Sequence, residues 1–353
     1  MKQLIKKVIP RQLIAEIKAR YEKLDILMIR FFSKNGFLAS IYYAFFSQQF
    51  YREHRSVLLG RVAYEASLNR ITNSSILLRR NIHRIEKGLI MQPRREVFAE
   101  GYIRETVDCF KKAIASDSLC SSEKEWASDV LQKYFSVVSH TTVIENAKNT
   151  FLDATLDEAT GNSVPYVHAD LPTCPLDYDQ LLTLFKRRRS VRWFEEKTVD
   201  MSLINKAVEA ATYAPSACNR QPYEYHVVTD KNLASEVANC AMGTVGFAEN
   251  IPCMIAIVGN LDAYPAERDR HIIYIDGALA SMQLMLAFET LGLSSCSINW
   301  PDIELREKAL MKKLKLAYHQ RIVMLMAVGY AKPDGGIPFS QKKGSNLLVK
   351  EVK

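Results

Sequence analysis

The stretch Ala214-Pro215-Ser216-Ala217-Cys218-Asn219-Arg220-Gln221-Pro222 lies between a helix-like pattern and a strand-like pattern. Residues 202–213, before it, repeat apolar side chains at helical intervals, and residues 223–228, after it, alternate as a strand does. Its prolines and short polar side chains are typical of a turn, which we call the 214–222 turn. The amide and hydroxyl groups of this turn can either satisfy its own backbone or bind a ligand.

An arginine-rich segment comes before that helix. Residues 187–194, called the arginine segment below, hold four arginines and one serine within their first six positions. Guanidinium groups donate paired hydrogen bonds to phosphate and carbonyl oxygens, so the segment is a candidate anion site. An arginine cluster is a weak signal by itself, because such clusters often lie on a solvated surface.

Three further stretches complete the pattern of a domain that mixes helices and strands. Residues 253–258 and 322–330 are apolar runs of strand length. Residues 275–291 are apolar on nearly every side, which is typical of a buried helix. Residues 291–300 follow it as a strand that ends in a loop containing Asn299 and Trp300.

In this order, the segments resemble the nitroreductase family of FMN-dependent oxidoreductases. An R-x-S-x-R motif at 188–192 is followed by a short helix and then by A-P-S-x-x-N-x-Q-P at 214–222. The resemblance covers residues 178–347, about half of the 353-residue chain. It implies an α+β fold in which a central mixed β-sheet is flanked by helices around a buried central helix.

The resemblance also implies that FMN binds at the interface of a homodimer and that NADH or NADPH supplies the electrons. The family's cofactor-binding positions match Arg188, Arg189, Ser190, Arg192, Pro215, Ser216, Asn219, Gln221, Ile298, Asn299, Trp300, Lys342 and Lys343. Since the flavin performs the redox chemistry itself, we predict no catalytic acid or base and no metal ligand.

The resemblance implies separate roles for these residues on the phosphate side of FMN. Arg188 and Ser190 match the family's contacts to the phosphate and the ribityl chain. Lys342 or Lys343 matches its C-terminal basic contact. Each of these cations could equally be solvated, so the ordered set of motifs carries the prediction rather than any one residue.

On the side of the flavin ring, Arg192 matches the cation that stabilises negative charge near N1 and C2=O of the reduced flavin. A backbone N–H of Asn299 or Trp300 matches the contact to flavin N5. The 214–222 turn would reach the flavin of the other subunit.

The chain departs from the family at two places. Trp300 stands where many members carry a small residue, so we expect different access over the flavin edge. Only residues 259–270 separate the strand at 253–258 from the central helix, where members often place a substrate lid. We therefore expect a short lid.

Residues 1–160 carry no comparable motif and read as an all-helical region. A proline-rich linker at 161–177 is predicted to join it to the FMN-binding domain at 178–353. The helical region could cover the active site or contact a membrane surface.

One helix of this region, predicted at 72–88, carries more specific sequence signals than the others. Its expected C-cap is Gly88, and its expected N-caps are Thr72, Asn73 and Ser74. One face is basic, through Arg80, Arg84 and Lys87. That face could bind a diphosphate, or it could simply be solvated.

Net charge and cysteine content narrow the classes of partner and the cellular location. The net charge is +8, and residues 1–150 hold 25 Lys and Arg against 15 Asp and Glu. This excess favours anionic partners, such as a small acidic or phosphorylated substrate. No zinc-finger, RRM or helix-turn-helix signature points to nucleic acid. Seven irregularly spaced cysteines predict reduced thiols and a cytoplasmic location.

The first residues contain no apolar run of the roughly 20 residues that a membrane-spanning helix requires. Aromatic residues from Phe31 to Phe46 nevertheless lie among lysines and arginines, so peripheral membrane contact stays open. The leading prediction is an FMN-dependent NAD(P)H oxidoreductase. The alternatives are a flavin-binding sensor or assembly factor without turnover, and a membrane-surface adaptor.

Overall fold

The computed structural model describes residues 11–68, 70–116, 118–154 and 161–352. The helical stretches predicted at 2–10 and 155–159 lie outside these residues. The chain divides into two compact units, residues 1–55 and residues 56–353. The linker predicted at 161–177 therefore lies inside the second unit, and its role as a domain boundary stays a prediction.

The described part of residues 1–160 is helical, as predicted. The helices are α1 (Arg11–Phe32), α2 (Gly36–Phe45), α3 (Tyr51–Ser67), α4 (Ile76–Leu89), α5 (Glu100–Ser116), α6 (Ser121–Val137) and α7 (Thr142–Ala154). Helices α4 to α7 share one core, to which α4 contributes Leu78, Ile82 and Ile85. Their spacing places these three side chains on one face of α4.

Helix α4 begins later than the sequence predicted. Its N-cap is Ser75, whose hydroxyl accepts a hydrogen bond from the Leu78 N–H. Ser74 is not the cap, because its hydroxyl donates to the buried Glu123 at 2.7 Å. Gly88 lies within the helix rather than at its cap, and the Phe98 ring leaves no space for a Cβ there.

The basic face predicted on α4 is largely engaged within the helical region. Arg80 donates to the Tyr64 hydroxyl and, at 3.2 Å, to Glu105. The Arg84 guanidinium lies 3.8 Å from the centre of the Tyr102 ring. These contacts explain why the two arginines stay folded against neighbouring side chains.

The remaining elements form an α+β domain. They are α8 (Tyr178–Arg187), α9 (Met201–Ala211), β1 (Tyr223–Val228), α10 (Lys231–Cys240), β2 (Cys253–Asn260), α11 (Ile272–Thr290), β3 (Ser294–Ile298), α12 (Glu304–Leu314), β4 (Gln320–Gly329) and α13 (Ser345–Leu348). The strands form one sheet in the order β1-β2-β4-β3. All pairs of these strands are antiparallel, and within the described residues parallel pairing is confined to a bridge between Ser190 and Ser295.

Helix α11 is the buried central helix that the sequence predicted. With α9 it covers one face of the sheet, where Leu284 and Phe288 pack against Ile255. On the other face, Val237 of α10 and Leu310 of α12 pack in a second core. Among the described residues, the stretch 267–290 is also the one long and apolar enough to cross a membrane, and its place in the domain core accounts for that composition.

The connection between β2 and α11 is short, as expected. It contains two single turns of 3-10 helix, Leu261–Ala263 and Glu267–Asp269. The C-terminal part of α3 packs on it: Val57 shares a small core with Leu261, and Arg61 donates to the Pro265 carbonyl at 3.1 Å. A helix from the N-terminal region therefore covers the place where a lid would lie.

Candidate functional site

The arginine segment runs beside strand β3. Ser190 forms the parallel bridge with Ser295, and the Val191 N–H donates to the Ser295 carbonyl at 3.1 Å. Phe194 forms an antiparallel bridge with Ala331, just after β4. The segment is thus fixed between β3 and the residues that directly follow β4.

Arg188 is the best candidate for binding an anion. Its Nε is buried and has no hydrogen-bond partner in the protein. Nearby, burial raises the pKa of the Glu289 carboxyl, while Arg187 and Arg188 lower it. The Ser295 hydroxyl is a second buried group without a partner, on the residue that pairs with Ser190. Buried donors without partners are costly, so an anionic ligand would satisfy both.

Arg192 is held in a defined position. Its Nη1 donates to the Ser190 carbonyl at 3.3 Å, and its own carbonyl accepts from the Asn250 amide at 2.7 Å. Burial raises the pKa of the Cys296 thiol, and Arg192 is the first of the groups that lower it. The cation of Arg192 therefore lies beside β3, near Arg188 and Ser190.

The C-terminal residues 338–343 contact the arginine segment through Arg189. The Arg189 guanidinium donates to the carbonyl oxygens of Pro338 and Phe339. Lys342 and Lys343 follow three and four residues after Phe339, and both are exposed. The structure thus brings the lysine-bearing segment to the arginine segment, although it shows the two lysines in solvent.

The loop after β3 exposes one of its two predicted contact residues and buries the other. Ile298 is buried and Asn299 is exposed, so the Asn299 backbone can meet a ligand. The Trp300 side chain is buried, and its indole N–H donates to Glu307 at 2.8 Å. Glu307 thus holds the indole inside the core, and different access over the flavin edge stays a prediction.

The 214–222 turn has an unusual backbone. Cys218, Asn219 and Gln221 have φ angles of 56°, 50° and 47°, a region that residues other than glycine seldom adopt. Such conformations persist only where surrounding contacts hold them, and they cluster at functional sites.

Several contacts within the core domain hold this turn. The Ala217 N–H donates to Asp276 of α11 at 2.9 Å. The Gln221 N–H donates to the Ser216 hydroxyl at 3.1 Å, and the Gln221 side-chain amide donates to the Thr212 carbonyl at 2.9 Å. Ser216 and Gln221 are thus engaged within the turn, while Pro215 is exposed and Asn219 is half-buried.

Arg79 of α4 holds the turn from the helical region, and no sequence signal pointed to it. Its Nε donates to the Asn219 carbonyl and its Nη2 to the Gln221 side-chain oxygen, both at 3.1 Å. Its Nη1 donates to Glu123 at 3.1 Å, so the guanidinium is itself fixed. One side chain therefore ties the strained turn to the core of the helical region.

Asp276 is the second anchor that the sequence did not reveal. Burial raises the pKa of its carboxyl, and its hydrogen bonds from the Ala217 N–H and the Tyr264 hydroxyl oppose that rise. The Tyr264 bond is 3.2 Å long.

The two groups of predicted residues are far apart within one chain. The turn is anchored at Asp276 near the start of α11, whereas Arg188 lies beside Glu289 near its end. Thirteen residues of helix span about 20 Å. A single chain therefore does not bring the 214–222 turn to the arginine segment.

The turn also lines a polar cavity of about 410 Å³. Its lining includes Arg70 and Thr72 of the helical region and Glu224, Asp262 and His319 of the core. Another cavity, of about 640 Å³, is lined by residues from Trp193 to Pro252 and contains none of the predicted cofactor-binding residues. We therefore regard the smaller cavity as the better candidate for a substrate.

The residues of the arginine segment fit the phosphate end of FMN. Two fixed arginines, two serines and a nearby lysine-bearing segment are the donors that a phosphate dianion needs. For metals the finding differs: within the described ranges, no group of three or more His, Cys, Asp or Glu side chains is placed to hold an ion.

Comparison with known proteins agrees with the motifs. The sequence model of the Nitroreductase family matches residues 185–247 and 236–330. A protein of Archaeoglobus fulgidus with the provisional name NADH dehydrogenase/NAD(P)H nitroreductase is 26% identical over 157 residues, which are 44% of this chain and 88% of that protein. Iodotyrosine deiodinase 1 of Mus musculus is 20% identical over 225 residues, 55% of this chain and 78% of that protein.

Solved structures with similar folds include two bacterial proteins. A nitroreductase family protein of Streptococcus pneumoniae TIGR4 has a TM-score of 0.42 and 23% identity, covering 49% of this chain and 100% of that one. An FMN-dependent nitroreductase of Clostridium difficile R20291 has a TM-score of 0.39 and 23% identity, covering 45% and 92%.

Proposed function

The C-terminal half of the chain, residues 185–330, is a nitroreductase family domain, and from this premise we propose that the protein is an FMN-dependent NAD(P)H oxidoreductase. The relatives support an oxidoreductase function. The observation that carries the choice of FMN is the buried, unpartnered Nε of Arg188, next to the bridge between Ser190 and Ser295.

In this proposal, Arg188 and Ser190 bind the phosphate and ribityl chain, and Lys342 or Lys343 adds a further cation. Arg192 holds a positive charge beside the ring, where it stabilises the reduced form. The backbone N–H of Asn299 or Trp300 orients the ring edge. When bound, FMN supplies the two-electron chemistry, so the protein positions and polarises it.

The site is completed by a second copy of the chain. The separation of about 20 Å along α11 supports this step, because the 214–222 turn cannot serve the arginine segment of its own chain. In a twofold dimer, the turn of one subunit can reach the segment of the other. Pro215, Ser216, Asn219 and Gln221 would then contact the partner's flavin.

The acceptor is proposed to be a small polar molecule bound in the 410 Å³ cavity beside the turn. Its lining carries both signs, with Arg70 against Glu224 and Asp262. A charged or zwitterionic acceptor would satisfy such a lining. Nitroaromatic compounds and iodinated tyrosine are the two acceptors to assay, since the relatives' names include both chemistries.

The direct test is the cofactor content of the purified full chain. We expect a yellow protein with about one FMN per chain, whose absorbance is bleached by NADH or NADPH without oxygen and restored by an acceptor. Colourless protein that takes up no added FMN would refute the proposal. Bound FMN that neither nucleotide reduces would favour the flavin-binding sensor instead.

A further inference from the structure

The unit formed by residues 1–55 exposes an unusual amount of apolar surface. Among the described side chains of residues 11–50, none is buried. Phe37 and Phe45 of α2 are 76% and 80% exposed. The other large exposed apolar side chains there are Leu13, Ile17, Tyr21, Leu24, Ile26, Leu27, Ile29, Phe31, Phe46 and Phe50. Contiguous apolar surface of this kind marks an interaction site.

These side chains are ordered along the helices. On α1, the residues at 13, 17, 24, 27 and 31 recur at helical spacing and share one face. Where α1 meets α2, the Phe32 ring packs 5.6 Å from Tyr42 and 5.1 Å from Phe46, measured between ring centres. The unit therefore presents an apolar helix face next to a cluster of aromatic rings.

The same unit carries most of the net charge of the protein. Residues 1–55 hold 11 Lys and Arg against 4 Asp and Glu, while the whole chain has a net charge of +8. Lys34 lies 5.3 Å from the centre of the exposed Phe31 ring, so a cation stands directly beside the apolar face. Aromatic rings next to lysines and arginines are typical of helices that lie at a membrane interface.

We propose that residues 1–55 bind the surface of an anionic phospholipid membrane. The apolar face enters the boundary between headgroups and acyl chains, and the basic residues contact the lipid phosphates. One such signal gives only marginal binding, whereas two together give stable attachment to a surface. The proposal does not depend on the function of the flavin domain.

A membrane surface fits this unit better than the other occupants do. A second copy would bring two strongly positive surfaces together, which costs electrostatic energy. A spanning helix is excluded for α1 because Arg20, Lys23 and Asp25 interrupt it. Helix α2 has 10 residues, about 15 Å of the roughly 30 Å that a bilayer core requires.

The first test measures binding of the full chain to lipid vesicles by co-sedimentation. Vesicles of phosphatidylcholine are compared with vesicles that also contain phosphatidylglycerol. We expect at least about tenfold tighter binding to the anionic vesicles, with most of the difference lost at about 1 M salt. No binding, or equal binding to both vesicles, would overturn the proposal.

The second test replaces the apolar anchor. The double variant Phe37→Ser and Phe45→Ser should lose roughly tenfold or more in affinity for anionic vesicles. The matched control is the double variant Val245→Ser and Leu305→Ser. These two side chains lie in the other unit and are 90% and 81% exposed, so this variant should bind vesicles as the native chain does.

The oligomeric state of these variants shows whether the apolar face binds a second copy of the chain instead of a membrane. Sedimentation velocity is measured without lipid, together with the thermal midpoint as a control for folding. If the variant at Phe37 and Phe45 loses a self-association that the control retains, the face is an interface between copies and the membrane proposal fails. An unchanged oligomeric state with weakened vesicle binding supports it.

Discussion

Arg79 is the side chain that connects the helical region to the 214–222 turn, and its geometry allows a test that separates position from charge. Arg79→Lys keeps a cation beside Glu123, but one ammonium cannot reproduce the fork that reaches both Asn219 and Gln221. Loss of one charged hydrogen bond corresponds to roughly a tenfold change. We therefore expect FMN affinity to fall about tenfold, measured by the change in flavin fluorescence.

The control for this variant lies on the same helix. Arg80→Lys disturbs contacts to Tyr64 and Glu105 but none to the turn. Arg80→Lys should leave FMN affinity unchanged, while its thermal midpoint shifts by about as much as that of Arg79→Lys. Equal losses of FMN affinity in both variants would mean that Arg79 acts only through the stability of the helical region.

Asp276 gives a prediction about pH. Burial raises the pKa of its carboxyl in the folded state, so folding favours the protonated form. The stabilisation from this group is complete below its unfolded pKa of about 3.9 and is lost as pH rises through the raised folded pKa. Asp276→Asn keeps an oxygen that accepts from the Ala217 N–H but does not ionise.

The measurement compares the thermal midpoints of the two proteins between about pH 4 and about pH 8. The native chain should lose stability relative to Asp276→Asn as the pH rises. A difference that stays constant would show that folding does not shift the pKa of the carboxyl, and a trend in the opposite direction would show that folding lowers it. Either outcome would contradict the prediction.

At the scale of the element, replacing each of two glycines of the helical region by alanine should change stability in opposite directions. At Gly88 in α4 an added Cβ would collide with the Phe98 ring, whereas at Gly101 in α5 it would meet no atom within 4 Å. Gly88→Ala should therefore cost about 1–3 kcal/mol through overpacking. Gly101→Ala should gain roughly 0.5–1 kcal/mol, because alanine favours the helix. Denaturant unfolding of the two variants measures both effects.

The strands and the central helix could be predicted from the sequence because their signals are local. The apolar run at 253–258 became β2 (Cys253–Asn260), and the apolar stretch at 275–291 became α11 (Ile272–Thr290). The cap of α4 was missed because Ser74 and Ser75 are both suitable, and only the distant Glu123 decides between them.

The contacts around the candidate site could not be predicted in the same way. Arg79 reaches residues about 140 positions away, and no periodicity or motif connects α4 with the turn. The motif predicts a backbone contact at Trp300, but the direction of its side chain depends on the buried Glu307. Motifs thus specify which residues form a site, while long-range packing determines which neighbours hold them.

At the scale of the whole molecule, the two-subunit site predicts complementation between variants. Arg188→Ala removes the phosphate contact, and Asn219→Gly removes the turn's amide while glycine tolerates the φ of 50°. Each variant alone should bind FMN poorly. A heterodimer of the two should contain one intact site, so a refolded equal mixture should recover about a quarter of the native FMN sites.

The readout is flavin bound per chain after the mixture is separated from free FMN. A mixture that binds no more than the separate variants, with both still folded and dimeric, would place each site within one chain. Mixing Arg188→Ala with Arg192→Ala is the matched control, since both changes fall on the same side of the site and should not complement each other.

The order of the sheet gives the arginine segment a second effect. Strand β3 lies at one edge of the sheet, and Ser190 and Val191 pair with its outer side at Ser295. If bound FMN holds that segment in place, its loss frees an open sheet edge, which is a template for self-association. The cofactor would then protect the protein from aggregation in addition to its redox role. The FMN-free protein should therefore precipitate before the FMN-bound form does.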